Sequence, residues 1–211
     1  MLPLEKVSTP EAKTIEELSA LLGVGPEKTC KMVFMVGSFI NDKTGEEEDK
    51  LVVAAIRGDM DVEESKLSNA IKANSLRPAH PEEIEEYGMV PGFASPIGAK
   101  KGFVLCVDDS VAESNNLVAG ANEVGYHFIN SNYKRDWDGG IVADIASAKE
   151  GYTCPICGKS LKSSKGVEIG NIFQLGTRYS KAMNCTFQDE NGVQQPVIMG
   201  CYGIGVGRLL A

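Results

Sequence analysis

Lys31-Met-Val-Phe-Met-Val36 and Leu51-Val-Val-Ala-Ala-Ile56 are short apolar runs on either side of an acidic, turn-rich stretch from Asn41 to Lys50. Runs of this length, rich in β-branched residues and bounded by turn formers, read as strands. The acidic stretch between them then reads as a loop inside a hairpin. Upstream, Thr14-Ile15-Glu16-Glu17 has the form of a capping box. Ile15, Leu18, Leu21 and Leu22 give one apolar helix face before Gly23 stops it. Downstream, Asp61 is expected to cap a second helix with Glu64 at its third position and Leu67, Ala70 and Ile71 facing the core. Pro81-Glu82-Glu83-Ile84 opens a third, with proline at the tolerated first position.

Further along, Gly92-Phe-Ala-Ser-Pro96 reads as a loop, and Gly102–Val107 and Tyr126–Ile129 read as strands. Composition shifts near Lys149. Beyond it lie a cysteine knuckle and three strand-like stretches, 167–175, 182–188 and 196–202, with no helical periodicity until the last residues. The pattern predicts a mixed α/β (α+β) domain over residues 1–160 and a mostly antiparallel β segment over 161–211. The apolar start Gly207-Arg208-Leu209-Leu210-Ala211 reads as a helix cut short, as in a piece excised from a longer protein.

The chain has 211 residues, 43% apolar and 24% charged, an ordinary globular composition that excludes collagen-like, coiled-coil and disordered classes. Its longest apolar run, around Met32 to Ile40, is far short of the ~20 residues that span a bilayer. Met1-Leu2-Pro3-Leu4-Glu5 has neither region of a signal peptide, so a soluble cytoplasmic protein with no membrane partner is expected. Twenty-one basic against 29 acidic residues leave a charge of −8. That argues against wrapping nucleic acid, where affinity comes from neutralised phosphates. It leaves room for a protein that grips only the end of one.

Six cysteines are too few for a disulfide scaffold in a chain of this size. Cys30, Cys106 and Cys185 lie in apolar stretches and read as buried thiols. Cys154-Pro-Ile-Cys157-Gly158 is half of a zinc site by spacing, which Cys185 and Cys201 could complete, but a metal-free turn between strands is the favoured reading and no metal ligand set is assigned.

Gly200-Cys-Tyr-Gly203-Ile-Gly205-Val-Gly207-Arg208 carries the most specific chemistry. Alternate glycines at a strand end let a ligand approach the backbone, and an arginine at the next helix start suits a phosphate or a flat base. Packing alone would also explain the glycines. The spacing is not a dinucleotide-binding fingerprint.

This stretch, together with Gly166-Val-Glu-Ile-Gly-Asn-Ile-Phe-Gln-Leu-Gly-Thr-Arg-Tyr-Ser180, resembles bacterial prolyl-tRNA synthetases. The Met199–Arg208 stretch is similar to motif 3 of class II aminoacyl-tRNA synthetases, which implies that Arg208 contacts ATP. The 166–180 stretch resembles strands of the prolyl-adenylate pocket, which implicates Gln174, Gly176 and Thr177. Cys201 and Gly203 would then lie near the proline ring, with Gly205 beside them. Asn171 stands where many relatives have histidine. Residues 1–160 resemble the inserted editing domain of these enzymes, a YbaK-like fold with a mixed β-sheet or barrel and flanking helices. Residues 161–211 would be an antiparallel part of the catalytic domain. Motifs 1 and 2 and the anticodon-binding domain are missing, so the chain alone is not expected to activate proline.

In that resemblance Arg57-Gly-Asp-Met-Asp-Val-Glu-Glu-Ser-Lys66 carries a functional lysine, Lys66. Val107-Asp108 carries a functional aspartate, and Gly125-Tyr-His127 a histidine that shapes the pocket. Gly92 and Pro96 bound a substrate-binding G-x-x-x-P loop. Each also has a plainer reading: Lys66 as a solvated helix lysine, Asp108 as a turn or helix cap, His127 as a structural histidine. His80 is given no site, and Lys100 and Lys101 are read either as solvated or as meeting tRNA phosphates.

The implied activity is hydrolysis of alanine mistakenly esterified to tRNA(Pro). A missing methylene is worth only ~1–3 kcal/mol of discrimination, so a proline pocket cannot exclude alanine strongly. No Ser-His-Asp arrangement is visible. An attacking water, the glycine loop's N–H groups and the substrate's own ribose hydroxyl would serve instead, with no cofactor for editing. ATP with magnesium would belong to the full-length ligase, whose expected partners are the tRNA(Pro) acceptor end, alanine or proline, and a second subunit in a homodimer. A free-standing trans-editing deacylase, a noncatalytic tRNA-end binding module and a zinc-ribbon protein are the other classes considered.

Overall fold

The computed structural model describes residues 1–10, 12, 14–41 and 45–211. Backbone contacts divide the chain into Met1–Ala148 and Lys149–Ala211. The expected boundary lay at 160/161; residues 149–160 cluster with the second unit.

In the first unit β1 (Glu5–Ser8) precedes α1 (Ile15–Leu22), and the long strands β2 (Cys30–Ile40) and β3 (Glu47–Arg57) follow. Then come α2 (Glu64–Ile71), β4 (Ser75–Pro78), α3 (Pro81–Glu85), β5 (Val104–Asp108), α4 (Asp109–Ala112), β6 (Leu117–Gly120), β7 (Tyr126–Ser131) and β8 (Ile141–Ala143). A mixed five-stranded sheet runs β4-β2-β3-β5-β8. β2 is antiparallel to both neighbours, whereas β5 is parallel to β3 and to β8. A separate antiparallel sheet runs β1-β7-β6.

β3 explains why its sequence is continuously apolar. Residues from Leu51 to Ile56 are all buried, and successive side chains go to opposite faces. Leu51, Val53 and Ala55 join Val107, Val111, Tyr133 and Trp137 in one core. Val52 and Ala54 join Leu67, Ile71, Cys106 and Ile145 in another. Leu67 is wholly buried, and such a side chain contributes about 1.5–3 kcal/mol. α1 has the expected capping box: Thr14 accepts from Glu17 N–H at 3.2 Å, Glu17 accepts from Thr14 N–H at 3.0 Å, and Gly23 ends the helix at φ 66°.

The structure departs from expectation in three places. The hairpin strands extend beyond their expected limits, to Ile40 and from Glu47: β2 continues through buried Gly37 and Ser38 to half-buried Phe39, whereas the polar start of β3 projects into solvent, where Glu48 pairs with Lys50 at 3.0 Å. Part of the expected loop, residues 42–44, lies outside the described residues. Asp61 does not cap α2. Its carboxylate accepts from Lys31 at 2.9 Å and its carbonyl from Ser147 N–H at 2.7 Å, so α2 starts later, at Glu64, without a side-chain cap.

In the second unit β9 (Gly170–Gly176) pairs antiparallel with β12 (Met199–Ile204), and β10 (Thr186–Gln188) pairs antiparallel with β11 (Gln194–Pro196). α5 (Arg178–Ala182) lies after β9, and α6 (Val206–Leu210) follows β12. α5 is the third departure. Its five residues are too few for a 3.6-residue period to register in sequence. Among the described residues no helix is long and apolar enough to cross a membrane.

Candidate active site

The N-terminal end of α1, the first strand residues of β2, the Gly92–Ala94 loop and the ends of β6 and β7 enclose a cavity of about 170 Å³. Ile15, Leu18, Met32, Phe34 and Ala94 make its walls apolar. Lys31, His127, Thr14 and Cys30 bring the chemically distinctive groups, and Gly92 and Gly120 bring backbone.

The loop on one wall is shaped by two distant residues. At Gly120 an added Cβ would lie 2.1 Å from the Phe93 carbonyl oxygen, so glycine here lets the loop rest on the end of β6. Asn122 acts as a template. Its amide oxygen accepts from Ser95 N–H at 3.0 Å, and its amide nitrogen donates to the carbonyls of Ser95 and Ile97 at 2.9 and 2.8 Å. Its own N–H donates to the Phe93 carbonyl at 2.8 Å. Gly92 turns the chain at φ +84°. Phe93 N–H is used by Val90 O at 2.9 Å, while the N–H groups of Gly92 and Ala94 meet no acceptor among the described residues. Gly120→Ala is expected to push the loop off β6 and to cost roughly 1–3 kcal/mol, the usual range for overpacking. Urea unfolding and amide chemical shifts of residues 92–97 check both parts.

His127 reaches the cavity from β7. Its Nδ1 is 2.6 Å from Thr9 Oγ1, a wholly buried hydroxyl held in place by Thr9 N–H donating to Gly125 O. The Phe93 ring lies 5.4 Å away, tilted by 51°. Burial lowers the His127 pKa, so the imidazole is neutral at pH 7. A histidine with a depressed folded-state pKa takes up a proton in the unfolded chain first. Stability is therefore expected to fall as pH drops below about 6.5 and on through the folded value. In His127→Gln the same melting-temperature profile should be flatter below about pH 6.5.

Cys30 is no nucleophile. Burial, with a smaller push from the Asp108 carboxylate, raises its thiol to about 12. Lys31 is the cation of the cavity, partly exposed and paired with Asp61. It was read from sequence only as the first residue of a strand; a lysine set between Cys30 and Met32 in an apolar run was the available signal.

Of the residues singled out from sequence, Gly92 and His127 meet at this cavity. Lys66 and Asp108 meet elsewhere, on the turn after β8. Lys66 Nζ donates to both Asp144 carboxylate oxygens at 2.9 and 2.8 Å and to Ala146 O at 2.8 Å. Asp108 is buried. One carboxylate oxygen caps α4 by accepting from Ser110 N–H at 2.9 Å, and the other accepts from Ile145 N–H at 2.9 Å. Pro96 lines a separate open groove of about 370 Å³ with Lys100, Lys101 and Trp137. Lys100 is turned to the Glu86 carbonyl at 2.9 Å.

In the second unit the β9/β12 register sets Gln174 opposite Gly200, Gly176 opposite Met199, Phe173 opposite Cys201 and Asn171 opposite Gly203. Gln174 and Gly176 line one shallow groove with Tyr202; Gly203, Gly205 and Arg208 line another with Asn171. Thr177 precedes α5, and Arg208 donates to the Glu168 carbonyl at 3.1 Å. Gly170 is required as glycine, since a Cβ would lie 2.8 Å from Gly203 O.

A family model described as the aminoacyl-tRNA editing domain matches residues 9–136, a span containing every residue that lines the Lys31 cavity. A proline–tRNA ligase of Dehalococcoides mccartyi is 47% identical over 208 residues, 99% of this chain and 35% of that protein. One from Thermotoga maritima is 44% identical over 210 residues, 99% of this chain and 34% of that protein. The chain thus spans about a third of the length of these curated relatives. A solved structure described as a candidate trans-editing enzyme for prolyl tRNA synthetase shares the fold at TM-score 0.54 and 19% identity, over 69% of this chain and 87% of that one. The hypothetical protein APE2540 does so at TM-score 0.54 and 18% identity, over 69% and 93%.

Proposed function

The chain belongs to the aminoacyl-tRNA editing domain family, and from that membership we propose that the Lys31 cavity hydrolyses the ester of alanine mischarged onto tRNA(Pro). The observation that carries this reading is the composition of the cavity: small, with apolar side chains beside polar groups, one ammonium at its wall and, among the described residues, loop backbone N–H groups that meet no acceptor. An apolar space of this size receives a methyl side chain. The ammonium of Lys31 takes a phosphate of the tRNA end as a compact point charge. The N–H groups of Gly92 and Ala94 donate to the ester's carbonyl oxygen as negative charge develops on it.

The nucleophile is water. Cys30 remains a thiol, and His127 is neutral and engaged with Thr9. Binding of the acyl end holds that water against the carbonyl, and the terminal ribose hydroxyl of the substrate assists; proximity supplies much of the rate. Lys66 and Asp108 have a supporting part, holding the Asp144–Ala146 turn against the sheet.

Single-turnover deacylation tests the proposal. The 211-residue chain should hydrolyse Ala-tRNA(Pro) and spare Pro-tRNA(Pro). Binding of the tRNA end with no hydrolysis of either ester would make the domain a noncatalytic module.

For the second unit we propose part of a proline–tRNA ligase catalytic site, supported by the near-complete alignment of this chain with such ligases. Arg208 fits a phosphate of ATP by charge and by its fork of donors, and the glycines of β12 let a ligand lie against the strand. ATP would supply the activating group for proline in the whole enzyme. Gln174, Gly176, Thr177, Cys201, Gly203 and Gly205 would lie on the proline and nucleotide side. Among the described residues no group of three or more His, Cys, Asp or Glu is gathered to hold a metal ion, so magnesium would arrive with the nucleotide.

A further inference from the structure

Cys154-Pro-Ile-Cys157-Gly158 forms the tip of a short hairpin that neither proposed activity uses. Thr153 and Ser160 face each other across an antiparallel bridge. Leu161 N–H donates to Tyr152 O at 2.7 Å, Cys154 N–H to Lys159 O at 2.8 Å, and Gly158 N–H to Cys154 O at 2.9 Å. Gly158, at φ +70°, completes the turn. The groups that act on the Cys154 sulfur are the backbone N–H groups of Cys157 and Ile156 and the Cys157 thiol. Those donors favour the Cys154 thiolate and hold its pKa below the ordinary thiol range.

Accessibility separates this pair from the other cysteines. Cys157 is exposed and Cys154 partly so. Cys30 and Cys106 are buried, with thiols raised by burial to about 12 and about 11. Cys185, expected to be buried, is exposed, because the short β10–β11 pair beside it leaves it open to solvent, and Cys201 is exposed too; the two lie apart in sequence, one after α5 and one in β12. Two sulfurs supply half of a four-ligand structural zinc site, and the described residues gather no third ligand beside them. Two adjacent accessible sulfurs, one favoured as thiolate, instead suit disulfide exchange.

We propose that Cys154 and Cys157 form a redox-active dithiol that exchanges with small-molecule disulfides of the glutathione class. The Cys154 thiolate attacks one sulfur of R–S–S–R. The S–S bond breaks, one R–S⁻ leaves, and a mixed disulfide forms on Cys154. Cys157 then gives its proton to solvent and attacks the Cys154 sulfur, expelling the second R–S⁻. The pair loses two electrons and closes a disulfide, and the small-molecule disulfide is reduced to two thiols. Excess thiol reverses both steps. The proposal is independent of the editing reading.

The test uses the 211-residue chain carrying Cys185→Ser and Cys201→Ser, equilibrated in mixtures of oxidised and reduced glutathione and mapped by peptide mass. The expected result is a loss of two hydrogens confined to the tryptic peptide 150–159, reversed by excess thiol. Adding Cys154→Ser or Cys157→Ser should abolish that loss and leave one mixed disulfide. Separate glutathione adducts on both cysteines with no link between them would overturn the proposal. So would purified chain holding stoichiometric zinc on the pair, which metal analysis reads directly.

Discussion

Lys31→Ala is expected to slow single-turnover hydrolysis of Ala-tRNA(Pro) by roughly 10- to 100-fold, with little change in stability. A hydrogen bond to a charged group is worth about 1.5–3 kcal/mol, and each 1.4 kcal/mol is about tenfold. The fold should tolerate the change. Lys31 pairs with Asp61, an exposed carboxylate, and such pairs contribute about 0–1 kcal/mol. Asp61 also retains its backbone tie to Ser147. Lys31→Arg keeps the charge but spreads it over a planar fork, so partial activity is expected. Rates equal to the parent in Lys31→Ala, at saturating enzyme, would remove the lysine from the site.

Asp108→Ala is expected to cost about 2–4 kcal/mol of stability while leaving the rate per folded molecule nearly unchanged. Losing the α4 cap accounts for about 1 kcal/mol. The larger share comes from Ile145, wholly buried, whose N–H loses its acceptor; an orphaned buried donor costs about 1–3 kcal/mol. Lys66→Ala should be milder, within about 1 kcal/mol, since that ion pair is substantially exposed. Denaturation midpoints measured alongside deacylation separate the two roles. An Asp108→Ala protein that melts like the parent but no longer deacylates would make Asp108 a substrate contact.

The elements legible in the sequence were those whose burial is complete or whose ends are marked. β3 sends alternate residues into two cores, so its run stays apolar, and α1 announces both of its ends through Thr14, Glu17 and Gly23. The polar start of β3 was not legible, because solvent-facing strand residues carry no apolar pattern. Asp61 looked like a cap because aspartate before a helical pattern usually is one; here Lys31, thirty positions earlier, captures its carboxylate. Gly92 and His127 were legible as candidates and do meet. Gly120 and Asn122 were not. Their work is done against backbone more than twenty residues away, and no local spacing records such a contact.

Asn122 and Gly120 hold the Gly92–Ala94 segment by its main chain, and this has an evolutionary consequence. A donor that belongs to the backbone cannot be erased by a codon change at its own position, short of proline. Replacements at Ala94 would recontour the wall and, under the proposed reading, retune which acyl group is accepted, while the backbone donors persist. Under the same reading, the Lys31 charge aside, loss of hydrolysis would come through the two residues that brace the segment. Side chains on the cavity wall could then change and retune selectivity, whereas Gly120, Asn122 and Lys31 could not change without cost to hydrolysis.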